Sequence, residues 1–117
     1  MRPHKKLIVW QNSIQLVKLI YRVTLTFPDA EKFGVTSQIR RASVSIACNI
    51  SEGAARNTKK EFKQFLYISS GSCSELDTLL VISNELGFLS KKDFKELEQL
   101  NDKVSALLNG LIKSIKT

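Results

Sequence analysis

The chain has 117 residues, of which 43% are hydrophobic and 25% charged, a balance typical of one globular domain with its own core. The formal net charge of +7 favours anionic partners, with nucleic acid first among them. No apolar run approaches the ~18–20 residues of a membrane span, and residues 7–10 are too short a run for a signal peptide. We therefore expect a soluble, cytoplasmic protein without membrane contact.

The first predicted helix covers about residues 8–26. The three-to-four spacing of a buried helix face is followed by Trp10, Ile14, Val17, Ile20 or Tyr21, and later Phe27. Pro28 ends the segment. The same helix carries further apolar residues beside this stripe, namely Val9, Leu16, Leu19 and Val23. One bundle needs one buried stripe per helix, so the surplus predicts a surface for self-association.

The second predicted helix runs from about residue 37 to residue 54. Thr36 or Ser37 is expected to cap it, because either hydroxyl can accept a hydrogen bond from a free amide of the first turn. Its apolar stripe includes the small residues Ser43 and Gly53, which predict that a neighbouring helix approaches closely.

The third and fourth helices have the clearest start signals. Thr58 and Glu61 form a capping box, and the helix then continues through the serine-rich residues 69–74 to a stop at Gly87. Ser90 is the predicted cap of the fourth helix. The link between them, Phe88-Leu89, is very short, so these two helices are predicted to be antiparallel neighbours. The whole chain, 1–117, is predicted to be one all-α domain, an antiparallel four-helix bundle.

Several motifs resemble the family of four-helix-bundle proteins encoded in intervening sequences of bacterial 23S ribosomal RNA genes. The Thr-Ser-Gln-Ile-Arg-Arg stretch at 36–41 is distinctive. The other matching stretches are 9–11, 27–28, 34–35, 42, 49–54, 60–66, 71–72, 75–76 and 108–112. The chain departs from the family at 47–48, where Ala-Cys stands in place of a frequent proline.

The resemblance implies an up-down-up-down bundle that assembles into a homopentameric ring. A more distant resemblance is to the accessory variability determinant of diversity-generating retroelements. That relative is implicated in binding nucleic acid and a reverse transcriptase through a basic surface of its ring. No catalytic residue set comes with either resemblance.

The candidate nucleic-acid-binding residues form two clusters. Arg40 and Arg41 lie early in the second helix, whereas the second cluster surrounds the turn into the third helix and comprises Arg56, Lys59, Lys60 and Lys63. In an up-down bundle these clusters lie at opposite ends. We favour the turn cluster, because free amides at a helix N-terminus also attract phosphate, and we expect structural salt bridges for the arginine pair. Along the sequence the positive excess is spread, with its largest share in residues 1–35.

No residue pattern argues for catalysis, a metal or a cofactor. Asn49, Glu52 and Arg56 share one helix face, but the better interpretation is a Glu52–Arg56 ion pair with Asn49 in a polar core position. Cys48 and Cys73 have no CxxC partner and are predicted to be buried, reduced thiols. Most of the aromatic residues are predicted to belong to the core; they are Trp10, Tyr21, Phe27, Phe33, Phe62, Phe65, Tyr67, Phe88 and Phe94.

These observations predict a non-enzymatic, basic homo-oligomer, expected to be a pentamer, that binds RNA or DNA through backbone electrostatics. The alternative is an oligomeric scaffold or accessory subunit that contacts a partner protein and has no direct role with nucleic acid. Clustering of the cations on one rim would favour the first function, and an exposed apolar groove would favour the second.

Overall fold

The computed structural model describes residues 2–117 and confirms an all-α antiparallel bundle. Its four helices are α1 (Ile8–Val23), α2 (Val35–Ala54), α3 (Lys59–Glu85) and α4 (Lys91–Ser114). Short 3-10 turns lie at Pro3–Lys6, Thr24–Thr26 and Asp29–Glu31. Each helix packs on the helices before and after it, and α4 packs back on α1, so the four surround one core.

The face that α1 turns to the core differs from the predicted one. Val9, Leu16 and Val23 are buried, whereas Ile14 and Val17 are only half-buried. The apolar arc of α1 is wide, and spacing alone does not say which part of a wide arc faces inward. Of the predicted stripe, Ile20 and Phe27 are buried. The residues that were predicted to form a surface for self-association belong to the core instead: Val9, Leu16, Leu19 and Val23.

The start of α2 also differs from the prediction. The helix begins at Val35 after Gly34, which is the N-cap and has no side chain to offer. The Glu31 carboxylate accepts a long hydrogen bond from the Val35 amide at 3.4 Å, and Thr36 is buried inside the first turn. A carboxylate from the preceding turn thus takes the place that a capping hydroxyl was predicted to fill.

Small residues bring α2 and α3 close together and keep α3 continuous. The buried Ser69 hydroxyl donates to the Ile46 carbonyl of α2 at 2.8 Å, and the Ser45 and Ser72 hydroxyls lie 3.0 Å apart. A Cβ atom built on Gly53 would lie 2.6 Å from Cβ of Phe65. Interhelical contact therefore outweighs the poor helix propensity of residues 69–74, as predicted.

The connection from α3 to α4 follows its predicted chemistry. Gly87 has a φ of +79°, the left-handed conformation that glycine adopts at low cost, and its amide donates to the Asn84 carbonyl at 3.1 Å. The Phe88 amide donates to the Ser83 carbonyl at 2.9 Å, which completes a Schellman motif. The Ser90 hydroxyl then caps α4 by accepting from the Asp93 amide at 3.1 Å.

The prediction that most aromatic residues belong to the core holds in part: one of the nine is buried, and five are half-buried, namely Trp10, Phe62, Phe65, Phe88 and Phe94. Phe27 is buried and contacts the Phe88 ring, with 5.7 Å between the centroids. Tyr21, Phe33 and Tyr67 are instead exposed, Phe33 by 90%. Within residues 2–117, none of the helices combines the length and the apolarity that crossing a bilayer requires.

Candidate nucleic-acid interface

The turn between α2 and α3 brings together the four cations predicted there. Lys59 and Lys60 are exposed and Lys63 is half-buried. Arg56 donates to the Glu52 carboxylate at 3.0 Å, and its guanidinium carbon lies 4.8 Å from the centroid of the Phe65 ring. Arg56 is thus partly neutralised and held in place, so the three lysines carry the unpaired charge of the turn.

The first turn of α3 adds free backbone donors to these lysines. The Thr58 hydroxyl accepts from the Glu61 amide at 3.1 Å, which confirms the predicted cap. The Glu61 carboxylate reaches back to the cap as predicted, but it accepts from the Thr58 hydroxyl at 3.0 Å and not from the Thr58 amide. Within residues 2–117, the amides of Lys59 and Lys60 have no acceptor. Such amides and the positive end of the helix dipole favour an anion at this position.

The fold adds two further basic segments to this end of the bundle. The turn Pro3–Lys6 packs against α1 and α2, and the antiparallel topology places it beside the end of α2 together with the end of α4. We call the resulting surface, formed by residues 2–6, 52–63 and 113–117, the basic end. Its cations are Arg2, Lys5, Lys6, Arg56, Lys59, Lys60, Lys63, Lys113 and Lys116.

The basic end therefore carries nine cationic side chains against two carboxylates, those of Glu52 and Glu61. That difference equals the formal net charge of the whole chain, +7, so the rest of the molecule is balanced with nine cations and nine acids. Charge that is spread along the sequence is concentrated in space. The contributions of the two termini were not predicted from the sequence, although the alternation of helix directions would have placed them at this end.

The second predicted cluster lies far from the basic end and does not join it. Arg41 lies thirteen residues before Ala54, the end of α2, which corresponds to ~20 Å of helix, and Arg56 follows that end. The expected salt bridges of the arginine pair are absent from residues 2–117, where the one ion pair is Arg56–Glu52. Arg40 is held by neutral groups: its Nε donates to the Thr24 hydroxyl at 2.8 Å, and its guanidinium carbon lies 4.5 Å from the Tyr21 ring centroid.

A nearly identical lysine pattern at the opposite end provides an internal comparison. Residues 58–63 read Thr-Lys-Lys-Glu-Phe-Lys, and residues 90–95 read Ser-Lys-Lys-Asp-Phe-Lys. Both segments begin a helix and both cap residues accept from the third amide at 3.1 Å. Only the first lies on the basic end, because α3 and α4 run in opposite directions. The segments 58–63 and 90–95 therefore differ chiefly in the charged residues that lie near them in space.

The residues considered for catalysis form structural contacts. Glu52 pairs with Arg56 as predicted. Asn49 is half-buried and donates to the Ser45 carbonyl of its own helix at 2.8 Å, so it does not fill a core position. Among residues 2–117, no three His, Cys, Asp or Glu side chains are grouped so that they could hold a metal ion.

The two cysteines differ in their surroundings. Cys73 is buried in the core, and desolvation by burial raises the pKa of its thiol from 9.0 to about 12. Cys73 therefore stays protonated and unreactive at neutral pH. Cys48 lies exposed on α2, so the prediction that both thiols are buried is wrong for Cys48.

Comparisons with known proteins agree on family and fold. The sequence model of a family described as 23S rRNA-intervening sequence protein matches residues 5–110. A crystal structure of a protein of unknown function from the S23 ribosomal protein family of Bacteroides thetaiotaomicron, at 1.70 Å, is similar with a TM-score of 0.83. The two chains are 19% identical, and the match covers 92% of this chain and 96% of that one, which shows a shared fold. No curated protein matches.

Proposed function

Because the chain belongs to the family of 23S rRNA-intervening sequence proteins, we propose that it is a cytoplasmic, non-enzymatic protein that binds RNA or DNA through its basic end. The observation that carries this proposal is the concentration of the whole net charge, +7, on one end of a bundle that is otherwise balanced. When such a surface neutralises the phosphates of a nucleic acid, it releases the counterions bound to them, and this contribution to affinity does not depend on the base sequence.

Two further features support contact with phosphates. The free amides of Lys59 and Lys60 lie among the lysine side chains and can donate to a phosphate oxygen. The turn is also fixed in shape, because Arg56 packs on Phe65 and Thr58 caps α3. The basic end presents no recognition helix of a known base-reading motif, so binding should depend weakly on sequence.

A salt titration tests the proposed function. Fluorescence anisotropy would be measured on labelled structured RNA, duplex DNA and single strands of equal length, from low to high potassium chloride. If about five phosphates are neutralised, the affinity should fall by roughly 100-fold or more between ~50 and ~200 mM salt. Tight binding that persists at ~0.5 M salt, or no binding at low salt, would contradict the electrostatic account and favour the scaffold function.

We also propose that the protein assembles into a ring, with five subunits as the expected number. Two apolar faces support assembly. On α1, Ile14 and Val17 are half-buried beside the exposed Tyr21, and on α3 the exposed apolar residues are Tyr67, Ile68, Val81, Ile82 and Leu86. Because α1 and α3 are diagonal in the bundle, their outer faces point in opposite directions.

Contact between two different faces is heterologous, and repeated heterologous contacts generate closed rings when the rotation allows it. In such a ring the basic end would recur once per subunit, and the weak phosphate contacts of several subunits would add on one nucleic-acid strand. The ring thus supports the binding function, although the two can be tested separately.

Light scattering at micromolar concentration tests the assembly. We expect a mass about five times the 13.2 kDa of one chain. The double variant Ile68→Glu/Ile82→Glu should dissociate the ring, since it places charges on the apolar face of α3. A matched control is Gln99→Glu/Asn109→Glu, which adds two charges at exposed positions of α4, outside that face. A 13.2 kDa species for the unaltered chain would contradict assembly.

A further inference from the structure

A cavity of about 290 Å³ lies at the N-terminal end of α2, at the opposite end of the bundle from the basic end. Three cationic side chains line it, those of Lys32, Arg40 and Arg41, together with the aromatic rings of Tyr21 and Phe33. We call it the α2 cavity. The turn cluster at the α2–α3 connection contributes no residue to it, so its chemistry is independent of the proposed nucleic-acid interface.

Arg40 supplies a fixed positive charge without an acidic partner. Its Nε donates to the Thr24 hydroxyl at 2.8 Å, a terminal nitrogen donates to the Tyr21 carbonyl at 3.4 Å, and the guanidinium packs on the Tyr21 ring. All of these groups are neutral. A guanidinium that is immobilised and half-buried beside a cavity, with no carboxylate paired to it within residues 2–117, is arranged to attract an anion.

The first turn of α2 adds donors to the cavity. Its N-cap, Gly34, has no side chain, and the Glu31 carboxylate reaches only the Val35 amide. The next two amides, of Thr36 and Ser37, begin a 20-residue helix and have no partner among the described residues. Thr36 also lines the cavity with 8% of its surface exposed, although its hydroxyl oxygen is buried beneath that surface, without a hydrogen-bond partner within residues 2–117.

The aromatic rings indicate that the ligand carries an aromatic group in addition to its negative charge. Phe33 is 90% exposed, and the Lys32 ammonium lies 5.6 Å from the centroid of its ring. An exposed phenyl ring beside cations is suited to stack on a nucleobase whose phosphate the cations hold. The cavity is open to solvent, and its volume lies just below the usual range for small-ligand sites, so a ligand the size of one nucleotide would be only partly enclosed.

We propose that the α2 cavity binds a nucleoside phosphate. The phosphate would lie against the first turn of α2, in contact with the Thr36 and Ser37 amides and with Arg41, and the base would stack on Phe33. A free nucleotide and the 5′-phosphorylated end of an RNA strand both present this chemistry. The Glu31 carboxylate reaches the first amide of α2, and Asp29 lies in the same preceding turn; the three cations Lys32, Arg40 and Arg41 outnumber these two acids.

Isothermal titration tests the proposal with five probes: adenosine 5′-monophosphate, adenosine, inorganic phosphate, and a short RNA with a 5′-phosphate or a 5′-hydroxyl. The two RNA probes are titrated into the variant Lys59→Glu/Lys60→Glu/Lys63→Glu, in which binding of RNA at the basic end is weakened. We expect saturable binding of the monophosphate or of the 5′-phosphorylated RNA, and binding at least tenfold weaker for adenosine and for the 5′-hydroxyl RNA. Tighter binding of adenosine 5′-monophosphate than of the 5′-phosphorylated RNA would indicate a free nucleotide as the ligand, and the reverse order would indicate a strand end.

Arg41→Gln and Phe33→Ala should each weaken that binding about tenfold. Both side chains are exposed, so circular dichroism should show an unchanged fold. Arg22→Gln is the matched control, because this exposed arginine of α1 lines a different cavity. The triple variant Lys59→Glu/Lys60→Glu/Lys63→Glu should bind the nucleotide normally, which separates this site from the basic end.

Two results would overturn the proposal. The first is the absence of binding for every phosphorylated probe. The second is binding that Arg41→Gln leaves unchanged or that Arg22→Gln weakens equally. Equal affinity for inorganic phosphate and adenosine 5′-monophosphate, with no effect of Phe33→Ala, would contradict recognition of the base.

Discussion

Replacing Lys59, Lys60 and Lys63 with glutamate is expected to weaken nucleic-acid binding at least ~100-fold at ~0.1 M salt. Three lysines that release counterions are lost, so the slope of log affinity against log salt should become less steep by roughly 3. The remaining cations of the basic end would also face three new carboxylates. The fold should be retained, because all three positions lie in the first turns of α3, where negative charge suits the helix dipole.

The chain contains a matched control for this variant. Lys91, Lys92 and Lys95 occupy the same positions relative to the start of α4, and their replacement by glutamate changes the net charge by the same amount. Because this triple lies at the opposite end of the bundle, we expect an affinity loss of less than about fivefold. Equal losses in the two variants would show that the total charge matters and that the basic end has no special role.

Gly53→Ala is expected to destabilise the fold by about 2 kcal/mol, since overpacking a close helix contact typically costs 1–3 kcal/mol. The added methyl group would lie 2.6 Å from Cβ of Phe65 and 3.2 Å from the Phe62 carbonyl oxygen, so the backbones of α2 and α3 must separate. That movement would also displace the turn that carries the basic end. Urea denaturation followed by circular dichroism measures the change in the free energy of unfolding.

Gly71→Ala should have the opposite effect and raise the free energy of unfolding. Gly71 lies within α3, and a Cβ atom there would meet nothing within 4 Å. Alanine should therefore stabilise the protein by about 0.5–1 kcal/mol, the usual difference in helix propensity. If both substitutions stabilise the protein, α2 and α3 do not approach as closely as the structure indicates, and the account of their contact is wrong.

Local sequence signals determined the helix boundaries at α3 and α4. The hydroxyls of Thr58 and Ser90 bond to amides three residues away, and Gly87 adopts a conformation that its own lack of a side chain permits. These signals depend on neighbours along the chain, so they could be identified in advance. The start of α2 could not, because the cap of that helix is a carboxylate from the preceding turn and its own Thr36 is buried by the packing of the bundle.

The sequence by itself determined the number of helices, their order and the existence of a basic cluster at the α2–α3 turn. Only the tertiary structure decided which side of α1 faces the core, because Val9 and Ile14 both satisfy helical spacing and only packing partners distinguish them. It also decided where the charge lies. Electrostatic potential depends on distance in space, so segments as far apart as residues 2–6 and 113–117 act together once the helices alternate in direction.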